Sequence, residues 1–77
     1  MELVLSPGGG SGDDPYTHEG EECGLVLAGR LELWVDDIRH LLAEGDAFHF
    51  ESRRPHRFRN AGADETRVLW VTTPPVW

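Results

Sequence analysis

Residues 22–35 read Glu22-Cys23-Gly24-Leu25-Val26-Leu27-Ala28-Gly29-Arg30-Leu31-Glu32-Leu33-Trp34-Val35, and this stretch decides the fold. A strand over 22–28 meets Gly29-Arg30, which turn the chain into 31–35, where side chains alternate with period two. That is a hairpin. Nowhere does an apolar stripe hold helical spacing over three turns, so the fold class is all-β. Outward from the hairpin, further strands are expected over 3–5, 38–42, 47–50, 56–59 and 66–72. Asp36-Asp37 and Glu44-Gly45-Asp46 turn the chain, and 60–64 form a loop. Pro74-Pro75 ends regular pairing. About eight short strands at close spacing point to a sandwich or barrel, whose closure removes unpaired edges.

At 77 residues the chain is expected to be one domain, 1–77, with a thin core. Fourteen acidic residues face seven arginines and no lysine, a net charge of -7 that repels a phosphate backbone, so direct nucleic-acid binding is not expected. Arg53, Arg54, Arg57 and Arg59 form a local basic patch, read as a solvated face balancing nearby carboxylates. The glycine-rich run over 6–12 lacks the Lys-Ser/Thr pair and the helix of a phosphate loop. Cys23 cannot form an internal disulfide and, among Glu19, Glu21 and Glu22, reads as a packing residue rather than a reactive thiol. No basic-then-apolar leader and no bilayer-length apolar run are present, so no membrane association and a cytoplasmic location are expected.

His18 and Glu22 lie four apart around Gly20, where a bend can aim both side chains at one point, and His56 arrives from a distant strand. Two imidazoles and a carboxylate suit a borderline divalent ion such as Zn, Fe, Mn, Ni or Cu, with positions left for water or a small molecule. The same residues without a metal make a polar pocket. By strand parity His56, Phe58 and Asn60 face the interior with Glu22, Gly24 and Val26, whereas His49 points opposite Phe48 and Phe50. His40, after Arg39, is read as surface. Trp34 and Trp70 are assigned to core or dimer interface; pocket lining by Trp70 is the lesser option, and Trp77 adds a third large ring.

The stretch Tyr16-Thr17-His18-Glu19-Gly20-Glu21-Glu22 with Gly29 resembles the first motif of the cupin superfamily. Gly45-Asp46 through Glu51, then Pro55-His56 and Asn60, resembles the second. The likeness runs from Leu5 to Trp77 and implies a small cupin double-stranded β-helix, or jelly-roll barrel. Pro7-Gly8-Gly9, Val26-Leu27-Ala28-Gly29, Ser52-Arg53-Arg54-Pro55-His56-Arg57-Phe58-Arg59-Asn60 and Thr73-Pro74-Pro75 look like the C-terminal sensor domain of bacterial helix-turn-helix (XRE-type) regulators. In that family a DNA-binding domain, absent from this sequence, precedes a cupin that binds an effector and helps dimerise the regulator. Tyr16 stands where many metal-binding cupins place their first histidine, leaving His18, Glu22 and His56 as metal ligands. Glu51 and Arg53 replace the proline and glycine of the second motif, which bears on the loop shape.

The resemblance implies a small-molecule (effector) binding module with a divalent-metal site and a pocket lined by Tyr16, Val26, Phe50, Phe58 and Asn60, working as a homodimer. Two other readings use the same residues. One is a small metal-dependent enzyme of oxygenase or isomerase type, since two histidines and a carboxylate with open positions form a facial triad; Tyr16 alone stands beside it as an acid-base group. The other is a dimerisation module with an empty pocket.

Overall fold

The alternation reads directly into structure. The computed structural model describes residues 1–73, which form seven strands and no helix: β1 (Glu2–Leu5), β2 (Glu21–Ala28), β3 (Arg30–Val35), β4 (Ile38–Ala43), β5 (Ala47–Glu51), β6 (His56–Arg59) and β7 (Thr66–Thr73). Among these residues no helix is long and apolar enough to cross a membrane. Pro74-Pro75 and Trp77 lie outside the described residues.

All pairings are antiparallel, in a four-stranded sheet ordered β1-β7-β2-β5 and a three-stranded sheet ordered β4-β3-β6. An eighth strand is only sketched. Between β1 and β2 the chain runs along the free edge of β6 and bridges it at two points, Gly10 to Arg59 and Tyr16 to His56. Gly10 permits this approach, because a Cβ there would collide with the Phe58 carbonyl. The edge of β6 is thereby covered, and the loop carrying Tyr16 and His18 is tied to the strand carrying His56.

Period-two alternation buries one face of each sheet against the other. Leu5, Val26, Leu31, Leu33, Val35, Phe50, Val68 and Trp70 form the core. Leu31 and Val68 are fully buried, each contributing about 1.5–3 kcal/mol of transfer free energy. The other face of β3 carries Glu32 and Trp34. Glu32 is nonetheless only 3% exposed, since Arg39 from β4 and Arg59 from β6 close over its carboxylate at 2.6 Å each. Trp34 lies beneath the Arg57 guanidinium, 3.6 Å from the ring centre, while Trp70 is a core residue.

Three of the four arginines of the patch meet carboxylates: Arg53 pairs with Glu51 at 2.7 Å, Arg54 with Asp36 at 3.4 Å, and Arg59 with Glu32, whereas Arg57 stacks on Trp34. The Glu51–Arg53 pair spans the turn that replaces the proline and glycine of the second motif, and the Arg54 N–H closes that turn on the Glu51 carbonyl.

Candidate metal centre

Three elements deliver the triad. His18 sits on the loop bound to β6, and its N–H donates to the Ser52 carbonyl. Gly20, at φ 112°, bends the chain into β2, so Glu22 enters the interior one residue after the strand begins. His56 opens β6 and is fully buried, as is nearly all of Glu22.

Glu22 Oε2 is the meeting point, 3.2 Å from His18 Nε2 and 3.0 Å from His56 Nε2. Both imidazoles have their other nitrogen occupied. His56 Nδ1 lies 2.7 Å from the Arg54 carbonyl and His18 Nδ1 3.1 Å from that of Glu19. A carbonyl only accepts, so each Nδ1 carries a proton, and a neutral imidazole then turns its Nε2 lone pair toward Glu22. With both imidazoles neutral, three lone-pair donors thus face one another. Glu22 Oε2 and His56 Nε2 are two of the buried side-chain atoms without a hydrogen-bond partner among the described residues; Ser52 Oγ is the third. Such an arrangement is costly unless a cation fills it.

The three donor atoms lie within 4.8 Å of one another, and the two spacings to Glu22 fit a bound metal ion. Bonds of about 2.1 Å at tetrahedral or octahedral angles separate neighbouring donors by about 3.0–3.4 Å. The carbonyl-anchored Nδ1 groups are the outer partners that fix a ligating histidine's tautomer. The second carboxylate oxygen is also held: the Trp70 indole N–H donates to Glu22 Oε1 at 2.9 Å in the buried interior. Phe48 and Phe58 pack the Trp70 ring at centroid distances of 4.8 and 4.9 Å. Sequence reasoning missed this bond; the signal was the shared parity of Trp70 with inward Thr66 and Val68.

The remaining sequence candidates separate by position. Tyr16 and Phe58 border a recess of about 210 Å³ that reaches His18, Glu22 and Trp70, with Met1, Leu3 and Thr72 around it. The Tyr16 ring packs 4.2 Å from that of His56. Burial, reinforced by the Glu22 carboxylate, pushes the Tyr16 phenol up to about 12, so at neutral pH it is an O–H donor. Phe50 touches the triad from another side, its ring 4.8 Å from His56. Val26 lies in the closed core. The Asn60 amide bonds the Leu5 and Asp64 carbonyls and the Gly62 N–H, which ties loops together away from the recess. His49 and His40 are exposed.

A family model described as "Cupin domain" matches residues 1–72. The chain belongs to the cupin family. This cupin is 33% identical over 57 residues to the HTH-type transcriptional regulator PuuR of Escherichia coli, covering 74% of its own length and 31% of the regulator's. It is also 38% identical over 77 residues to quercetin 2,3-dioxygenase of Bacillus subtilis, covering 94% of the cupin and 22% of that protein. It therefore spans about a third or less of each. Among solved structures it superposes on TT1209 from Thermus thermophilus with a TM-score of 0.83 at 31% identity, covering 95% of the cupin and 69% of that chain. The cupin is thus related both to a regulator's cupin domain and to a cupin enzyme.

Proposed function

We propose that this cupin is a sensor module that binds a small molecule and holds a divalent metal ion at His18, Glu22 and His56, acting in the cytoplasm as a homodimer. The observation that carries the metal assignment is the cluster of buried, unpartnered donors, Glu22 Oε2 and His56 Nε2, about 3 Å apart and joined by His18. A bound divalent ion would supply Lewis acidity and open positions for oxygen ligands entering from the recess. The chain supplies the rest. The Arg54 and Glu19 carbonyls set the histidine tautomers, Trp70 orients the carboxylate, and Tyr16 offers a neutral hydroxyl at the mouth. The relation to PuuR supports a regulatory setting, in which occupancy matters through different affinities for two dimer states.

Metal analysis tests this reading. Protein loaded with Mn, Fe, Ni or Zn and freed of excess ion is expected to retain about one ion per chain for at least one of these metals, and His56→Ala to retain none. Absence of any retained metal in the folded wild-type protein would sink the metal assignment. The relation to quercetin 2,3-dioxygenase favours a second reading, a metal-dependent enzyme. Oxygen consumption by the iron- or nickel-loaded protein with phenolic substrates, abolished by Glu22→Gln, would establish that one instead.

A further inference from the structure

A second cleft, of about 390 Å³, shares no lining residue with the recess beside the triad. It exists because β4 ends one sheet and β5 ends the other, leaving a seam between two edge strands. Register places His40 opposite Leu33 and Leu42 opposite Leu31, so the inner side of β4 carries side chains that β5 does not cover. Leu33 and Leu42 on one side, with Phe48 and Phe50 on the other, line the seam. The two phenyl rings lie near-parallel, 28° apart, with centroids 6.0 Å apart.

Every ionisable residue lining this cleft is basic: His40 and Arg54, with His49 at its rim, on the face of β5 opposite Phe48 and Phe50. In a chain with fourteen acidic residues and seven arginines that is a strong local inversion. The nearest carboxylates stand outside the lining. Asp36 is 3.4 Å from Arg54, and Glu21 is 3.7 Å from His49 with both side chains exposed, a spacing and setting in which little attraction survives. Arg54 presents a planar fork of donors that matches a carboxylate, and the aromatic floor accepts a flat apolar body.

We propose that the seam between β4 and β5 binds a small organic anion, a carboxylate on a flat apolar body, with the carboxylate on Arg54 and the body against Phe48 and Phe50. The volume lies in the range of small-molecule sites. The anion is held without help from a metal, so the inference goes beyond the sensor reading while giving it an address for an effector. Phe50 packs on His56, and the Arg54 carbonyl fixes its tautomer, which puts the occupant one residue from the triad.

The test is a titration of naphthoate into the isotope-labelled full chain in EDTA, followed by amide chemical shifts. Saturable shifts are expected at Leu33, His40, Leu42, Phe48 and His49. Arg54→Gln should weaken binding about tenfold, the loss of a charge-assisted hydrogen bond, and naphthalenemethanol, which lacks the charge, should bind wild type correspondingly less well. If Arg54→Gln does not give a folded spectrum, His40→Gln takes its place and should weaken binding in the same direction. His18→Ala should leave naphthoate binding intact, so that failure of the metal assignment and failure of this inference are told apart. Shifts confined to Leu3, His18 and Thr72, equal binding of the alcohol, or no saturation by about 10 mM would each overturn it.

Discussion

Glu22 has two carboxylate oxygens in two different roles. Oε1 takes the Trp70 N–H, and Oε2 faces the histidines. Because Phe48 and Phe58 pin the indole, the carboxylate is presented in one orientation before any ion arrives, and preorganisation of this kind is worth about 10–100-fold in metal affinity. Trp70→Phe keeps an aromatic ring in the core and removes the N–H donor together with the five-membered ring of the indole. It is expected to weaken Mn binding by about that factor in calorimetry while leaving the fold intact, and an unchanged affinity would show that the bond does not position the ligand. Glu32 makes a contrasting case on the outer face. Burial acts to raise its carboxyl, but hydrogen bonds from Arg39 and Arg59 outweigh it and hold the group below its ordinary value. A depressed value adds stability above the unfolded-state value of about 4.3 and loses it as pH falls through the folded one. Both arginines are half in water, so Glu32→Gln is expected to cost only about 1–2 kcal/mol at pH 7. Melting curves of the two proteins should converge as the pH falls through the depressed folded-state value; a constant gap would contradict the assignment. The triad was legible in sequence because two histidines and a glutamate sit at cupin-motif spacings. The roles of Trp70 and Glu32 were not, because each depends on a partner at least seven positions away whose placement needs the strand register.

At the scale of elements, period-two alternation located all seven strands to within a residue at either end, since a one-residue slip would have turned the Leu31-Leu33-Val35 face outward. The eighth was less visible. Its chain bridges β6 at Gly10 and Tyr16, with Ser11 hydrogen-bonded to Phe58, and a segment with six glycine and proline residues from Pro7 to Pro15 carries no alternation to read. His40 was read as surface and is exposed, but pairing with Leu33 shows that it sits on the inner side of β4; parity within 38–42 held that information. The β3–β4 turn carries strain that can be removed. Asp36 and Asp37 both take left-handed conformations, at φ 53° and 64°, in a two-residue hairpin loop where the second position favours glycine. Asp36 pairs with Arg54 and donates its N–H to the Pro55 carbonyl, whereas Asp37 has no ion pair among the described residues. Asp37→Gly is therefore expected to stabilise the protein by about 0.5–1 kcal/mol, a rise of about 2–8 °C in Tm. A lower Tm would mean that the Asp37 side chain contributes more than its backbone conformation costs.

At the scale of the whole molecule, the outer face of the four-stranded sheet is the part least suited to water. Val4, Leu25, Leu27, Leu69 and Val71 are each at least a third exposed. Register sets Leu25 beside Leu69 and Val71 beside Cys23, so these side chains form one continuous apolar surface across β1, β7 and β2. Contiguous patches of this kind mark association surfaces, and a second copy would extend a core that 77 residues keep thin. Charge opposes pairing of two chains at -7 each, yet the patch itself carries only the compensated Glu2–Arg67 pair. Repulsion therefore comes from charges around the rim, where salt screens it. Sedimentation is expected to give a dimer that tightens as ionic strength rises, with a Tm that depends on protein concentration. Leu25→Glu with Leu69→Glu should give a folded monomer, because both side chains point away from the core and the substitution adds repulsion where the two sheets would meet. A wild-type monomer at high salt, or a double variant that still sediments as a dimer, would place the association surface elsewhere.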